Sequence, residues 1–112
     1  MRILSISYDA SLLMKRHLLL ERAGHQVTSA MSFPAAVGCC RNGRYDLLVL
    51  GHSLPAIDKR ELIRISRSNS PAPILSLMSD GEDPVLSDYQ ADRDRPHEFL
   101  QAVARILAPI HS

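Results

Sequence analysis

Two side chains that could do chemistry, His52 and Ser53, follow the apolar run "LLVL" of residues 47–50 in this 112-residue sequence. Such a run predicts a buried strand, and the ligands of parallel α/β sheets bind where strands end. A histidine there could carry a phosphoryl group, and a serine could act as a nucleophile beside a base. Strand alternation, however, directs His52 to the face opposite Gly51, and no base is evident near Ser53. We therefore interpret both as packing or loop residues.

The soft metal ligands of the sequence show no spacing that is typical of a metal site. They are Cys39, Cys40, His17, His25, His52, His97 and His111. Neither H-E-x-x-H nor C-x-x-C occurs, and two adjacent cysteines can form neither an ordinary disulfide nor a four-ligand zinc site. No glycine-rich phosphate-binding motif follows a predicted strand. We expect no metal, no cofactor and no enzymatic activity, and a cytoplasmic location in which the thiols stay reduced.

The charges of the sequence are nearly balanced in number but unevenly distributed. There are 13 Lys and Arg residues against 12 Asp and Glu residues, which gives a formal net charge of +1. Residues 1–70 contain 10 basic and 5 acidic side chains, whereas residues 71–112 contain 3 and 7. The overall balance predicts neither a nucleic-acid nor a membrane partner. The uneven distribution could orient a protein partner or a second copy of the chain.

Apolar runs of strand length alternate with amphipathic segments along the chain. Four runs predict buried strands: "MRILSIS", "HQVTSA", "YDLLVL" and "APILSLM". The segments that predict helices are "SLLMKRHLLLERAG", "SFPAAVGCCRNG", "DKRELIRISRS" and, near the end, "PHEFLQAVARIL". Asp9 or Ser11 is expected to cap the first helix, Ser32 the second and Asp58 the third. This alternation predicts an α/β domain with a parallel sheet and right-handed crossovers.

The predicted helices are amphipathic, and their outer faces carry most of the charge. The first helix is predicted to expose Lys15 and Arg16, and the third to expose Lys59 and Arg60. Residues 79–95 are acidic and have room for only a short fifth strand, within "PVLSDYQ", and no full helix. We therefore expect five strands but four helices.

The order of elements, together with "SYD" after the first strand, "LLVLGHSLPAID" after the third and "PILSLMS" at the fourth, resembles the receiver domain of two-component response regulators. The resemblance implies a doubly wound parallel five-stranded sheet of order 2-1-3-4-5, as in CheY-like and flavodoxin-like folds. The short segment before the last helix implies that the fourth helix of such a domain is lost or shortened. We expect residues 1–112 to form this single domain, with no attached output domain.

The same resemblance assigns a position to Gly51. After strand three the family has an aspartate, three mostly apolar residues, a proline and, shortly afterwards, Asp-Gly. Leu54, Pro55 and Asp58 match this frame and place Gly51 on the aspartate that accepts the phosphoryl group. A glycine has no side chain that could accept phosphate.

The metal ligands that the resemblance implies are also replaced. The acidic pair that holds Mg²⁺ falls on Ser7 and Tyr8, with Asp9 just outside the pair. A single carboxylate beside a phenol is a poor site for Mg²⁺, which prefers octahedral oxygen ligands. Tyr8 is expected to fill the space that the missing carboxylates leave.

Two further positions of the phosphorylation site are altered. The Thr or Ser that ends strand four falls on Met78, or on Ser79 one residue later, and the lysine that ends strand five falls near Asp92. The hypothesis is an atypical receiver domain, a pseudo-receiver, that acts in signal transduction by phosphorylation-independent binding of a signalling protein or of itself. We expect the surface between strand four and the final helix to carry this contact. The alternative is an α/β module that senses a small ligand in the vacated pocket at the strand ends.

Overall fold

Five parallel strands and four helices form the part of the chain that the computed structural model describes, residues 1–78, 87–92 and 95–108. The strands are β1 (Arg2–Ile6), β2 (Gln26–Ala30), β3 (Leu47–Leu50), β4 (Ile74–Met78) and β5 (Tyr89–Asp92). The helices are α1 (Ala10–Arg22), α2 (Phe33–Asn42), α3 (Ala56–Asn69) and α4 (Pro96–Leu107). The strand order is β2-β1-β3-β4-β5, and every neighbouring pair is parallel. This confirms the predicted doubly wound sheet.

The sheet is covered on both faces, which explains why β3 shows no alternation of apolar and polar residues. Leu48 and Leu50 point into the layer formed with α2 and α3, whereas Leu47 and Val49 point into the layer formed with α1 and α4. All four side chains are at most 2% exposed. A central strand of this kind needs apolar residues at every position.

The helix starts follow local capping chemistry in two of the three predicted cases. The Asp9 carboxylate accepts the Leu12 N–H at 3.1 Å at the start of α1, and Ser32 caps α2 in the same way. The prediction for α3 was wrong, because this helix begins at Ala56, two residues before Asp58. The side chain of Asp58 is left available for a contact outside its own helix.

Two cations that were predicted to face solvent are buried instead. Arg16 on α1 is 6% exposed, and Lys59 on α3 is 0% exposed. Lys15 and Arg60 are exposed as predicted. Long side chains can pack their aliphatic stems against apolar surface while their polar ends reach hydrogen-bonding groups, so a charge alone does not identify the outer face of a helix.

The fifth strand lies later in the chain than its predicted position within residues 84–90. The side chain and backbone of Asp88 set its register, because the Asp88 N–H donates to the Ile74 carbonyl at 3.0 Å and the Ile74 N–H donates to the Asp88 carboxylate at 2.9 Å. The predictions for Ser79 and for the acidic residues of 80–86 fall outside the described residues. Within the described residues, no helix is long and apolar enough to cross a membrane.

Candidate functional site

The strand ends bring the predicted site positions to one edge of the sheet. Ser7 directly follows β1 and Gly51 directly follows β3, while Met78 and Asp92 are the last residues of β4 and β5 and are paired in the register of the sheet. The Gly51 N–H donates to the Ile6 carbonyl at 2.8 Å, which extends the pairing of β1 and β3 by one step. Because the strands are parallel, this carboxyl edge is where a doubly wound domain binds its ligands.

The backbone and side chains around Gly51 leave no room for a larger residue. A Cβ atom at this position would lie 2.9 Å from the Ile6 carbonyl oxygen, 3.0 Å from an Arg16 guanidinium nitrogen and 3.1 Å from the Ser7 Cβ. Gly51 does not have a positive φ, so close approach rather than backbone conformation requires the glycine. Arg16 and Ser7 lie against this position, and the filling of the remaining space by Tyr8 stays a prediction.

Hydroxyl groups tie the loops after β1 and β3 together. The Ser7 and Ser53 hydroxyl oxygens are 3.1 Å apart, and the Tyr8 N–H donates to the Ser53 oxygen at 3.0 Å. The Ser7 oxygen also accepts the Asp9 N–H at 3.2 Å. In the described part of the chain, neither hydroxyl contacts a carboxylate or an imidazole that could remove its proton. These serines therefore organise the loops, in agreement with the interpretation of Ser53 from the sequence.

The Tyr8 side chain bridges the end of β1 to α3. Its hydroxyl donates to the Asp58 carboxylate at 2.8 Å, and its ring packs against the core layer beneath α2 and α3. Burial, and then the hydrogen bond and the negative charge of Asp58, raise the pKa of Tyr8 to about 12. The carboxylate that the capping prediction assigned to α3 thus holds a phenol at the carboxyl edge of the sheet.

Arg16 is the first of two residues of this site that sequence reasoning missed. It projects from α1 toward Gly51, and its second guanidinium nitrogen lies 3.4 Å from Nδ1 of the half-buried His52. His52 can accept this hydrogen bond only as a neutral imidazole with an unprotonated Nδ1. A fixed positive charge therefore stands beside the position where the resemblance implies the aspartate that accepts the phosphoryl group.

Lys59 brings a second cation to the same edge from α3. Its Nζ donates to the Ser76 hydroxyl and to the Leu77 carbonyl, both at 3.2 Å, near the end of β4. The residue follows Asp58 directly, where the resemblance implies the glycine of Asp-Gly. The sequence does contain a signal for Lys59, namely "DK" where the family has Asp-Gly.

Three of the described carboxylates near the edge have other contacts. Asp9 is engaged as the cap of α1, Asp58 accepts from Tyr8, and Asp92 lies at the far strand, 3.8 Å from the Arg95 guanidinium. No group of three or more His, Cys, Asp or Glu side chains that could hold a metal ion occurs within residues 1–78, 87–92 and 95–108. Sites for Mg²⁺ in proteins draw on carboxylate and other oxygen ligands converging on one point.

No protein-family model and no curated protein matches this sequence. Solved structures do match. The chemotaxis protein CheY4 of Vibrio cholerae superposes with a TM-score of 0.77 at 17% identity, over 95% of this chain and 98% of the other. This is the fold of a CheY-like receiver domain.

Two further matches to the receiver fold involve TrrA, a response regulator of Thermotoga maritima. Its complex with Mg²⁺ and BeF has a TM-score of 0.78 at 19% identity, over 95% of this chain and 98% of that chain. A complex of TrrA with the histidine kinase ThkA has a TM-score of 0.80 at 20% identity, over 96% and 98%. At these identities the likeness establishes the receiver fold, and the chemistry must be argued from the residues described above.

Removing the Tyr8 hydroxyl should lower stability and flatten its dependence on alkaline pH. The folded pKa of about 12 exceeds the ordinary value of 10.0, so the stabilisation is present below pH 10 and is lost as pH rises from 10 to 12. We expect Tyr8→Phe to lose about 1 kcal/mol at neutral pH, the usual value of one hydrogen bond. Urea unfolding of both proteins across this pH range measures the effect, and parallel pH curves would contradict it.

Proposed function

We propose that this receiver-fold domain acts in signal transduction by binding another protein without being phosphorylated, and that it catalyses no reaction itself. The observation that carries the proposal is the closed environment of Gly51. The phosphoacceptor position has no side chain, and the space for one is taken by the Ile6 carbonyl, Arg16 and Ser7. A covalent phosphoryl group needs both a nucleophile and room around it.

The charges of the edge support the same proposal. Phosphoryl transfer in a receiver of the usual type depends on carboxylates that hold Mg²⁺ against the developing negative charge. Here Ser7 and Tyr8 stand at the positions of the acidic pair, and buried Arg16 lies beside Gly51. A guanidinium repels a divalent cation. The replacement of the acidic pair and the position of Arg16 therefore both disfavour Mg²⁺ binding, which supports an atypical receiver in which several residues of the site are altered.

Binding of a protein partner is the way in which we propose that this domain transmits a signal. TrrA, which shares the receiver fold, was solved in complex with the histidine kinase ThkA. For this chain we propose a signalling protein or a second copy as partner, with no role for nucleic acid or membrane. Cys39 and Cys40 are free thiols, which fits the proposed cytoplasmic location.

The alternative of a small ligand in the vacated pocket has less support. Arg16 and Ser7 occupy the space next to Gly51 in which the ligand was expected. A cavity of about 100 Å³ lies nearby between α1, β4 and the start of α4, with Arg16 and Asp92 in its wall. It is much smaller than the roughly 300–1,000 Å³ of typical ligand pockets.

Exposure to a phosphoryl mimic tests the proposal directly. Addition of Mg²⁺ and beryllofluoride should leave the amide NMR spectrum of the domain unchanged, because neither nucleophile nor metal ligands are available. Gly51→Asp should remain unphosphorylated by a small-molecule phosphodonor, since Arg16 would pair with the new carboxylate. Chemical-shift changes clustered at Gly51 and Met78, or stable phosphorylation of the variant, would overturn phosphorylation independence.

A further inference from the structure

Three arginines form a stripe along one flank of α3. Arg60, Arg64 and Arg67 are exposed and recur at intervals of four and three residues, so they share one face over about 10 Å of helix. Together with Ile63 and Ser68 they line a groove of about 390 Å³. Ile63 is 4% exposed and belongs to the core layer, so the groove has an apolar floor between cationic side chains. We call these five residues the arginine groove.

The arginine groove lies on the flank of α3 that faces the outer strands. The Arg67 guanidinium donates to the Asp88 carboxylate at 3.1 Å, just before β5. On its other flank α3 packs against α2.

Among the described residues, the charge of the arginine groove is only partly compensated. Arg64 pairs with Glu61, and Arg67 pairs with Asp88. Arg60 forms no ion pair with any residue of 1–78, 87–92 and 95–108. Counted over the described residues, the groove therefore presents a net positive charge, which complements an acidic partner and can speed its approach.

The shape and extent of the arginine groove favour an acidic helix over a nucleic acid. Proteins that bind duplex DNA neutralise many phosphates, and this stripe offers three cations over about 10 Å, with Glu61 and Asp88 beside them. A helix with an apolar ridge could contact Ile63, while its acidic residues, spaced by three and four, meet the arginines. The stripe has the length of two helical turns, which matches such a ligand.

We infer that the arginine groove docks an acidic amphipathic helix of a partner protein. The inference rests on the proposed function and names the surface and the chemistry of the partner. The contact would lie on the flank of α3 that faces Asp88 and β5. It would not require the surface between β4 and the final helix, which the sequence analysis suggested.

Binding of synthetic helices to the intact domain tests this inference. The probe is a fluorescein-labelled peptide of about 20 residues, long enough to be helical, with a leucine ridge flanked by glutamates at intervals of three and four. A matched peptide has glutamine in place of glutamate. In fluorescence anisotropy the acidic peptide should bind more tightly than its glutamine counterpart, and the double variant Arg60→Gln, Arg64→Gln should weaken binding about tenfold. The control variant Arg22→Gln, Arg105→Gln removes the same charge from α1 and α4 and should leave affinity unchanged.

Each other outcome counts against the inference. Equal weakening by the two double variants would show attraction to total charge alone, and tighter binding of duplex DNA than of the peptide would identify a nucleic-acid surface. Absence of peptide binding would remove the arginine groove as a docking site. None of these results would alter the beryllofluoride experiment, whereas a response to beryllofluoride would overturn the proposed function and leave the peptide result standing.

Discussion

Replacing Gly51 with alanine is expected to lower the free energy of unfolding by about 1–3 kcal/mol, the usual cost of inserting a methyl group into a filled site. The new Cβ would stand 2.9 Å from the Ile6 carbonyl oxygen, which belongs to the backbone of β1 and cannot move away cheaply. The Arg16 guanidinium, 3.0 Å away, can shift, but it would then lose its contact with His52. Urea unfolding monitored by circular dichroism measures the change.

A second glycine provides a matched control for this substitution. Gly38 lies inside α2, and a Cβ there would meet nothing within 4 Å. Gly38→Ala should therefore raise stability by roughly 0.5–1 kcal/mol, because alanine is the better helix former. If the Gly51→Ala variant were as stable as wild type, there would have to be free space next to Gly51. The proposal that this position has no room for a phosphoryl group would then lose its basis.

Replacing Lys59 with alanine is expected to lower the free energy of unfolding by about 2–4 kcal/mol. The variant removes a fully buried aliphatic stem and leaves a cavity, and it also deprives the Ser76 hydroxyl and the Leu77 carbonyl of their donor. Thermal and urea unfolding both detect an effect of this size.

Two comparison variants separate the contributions of Lys59. Lys59→Met keeps most of the volume and removes the donor, so its loss should be closer to 1 kcal/mol. Arg60→Ala, at the adjacent exposed position, should stay within about 0.5 kcal/mol of wild type. A Lys59→Ala protein no less stable than the Arg60→Ala protein would contradict the buried position of Lys59.

The order of elements and the sheet were predictable because they depend on local signals. Unbroken apolar runs such as residues 47–50 indicate strands buried on both faces, and Asp9 and Ser32 cap the helices they precede. Short crossovers containing helices leave few topologies other than a parallel sheet. The position of β5 was less predictable, since its register depends on the Asp88 contacts with Ile74 from a distant strand.

The replaced residues of the candidate site were also readable from the sequence. The resemblance assigned Ser7, Gly51, Met78 and Asp92 to positions of the phosphorylation site of a receiver, and the structure places all four at the carboxyl edge of the sheet. Their types depart from those that the resemblance implies. Ser7, Gly51 and Met78 end or follow predicted strands, so local signals could place them, whereas Asp92 lies beyond the strand predicted within residues 84–90.

What occupies the edge instead was decided by tertiary structure. The helical periodicity predicted that Arg16 and Lys59 face solvent, because a charged residue counts as polar in an amphipathic pattern whether or not its side chain is buried in the folded protein. In the structure these two long side chains extend inward, Arg16 toward Gly51 and Lys59 to the Leu77 carbonyl. The sequence by itself determined the fold and the presence of a glycine directly after β3. Only packing could show that two cations fill the edge, because their stems bury apolar surface while their charged ends find partners on other elements.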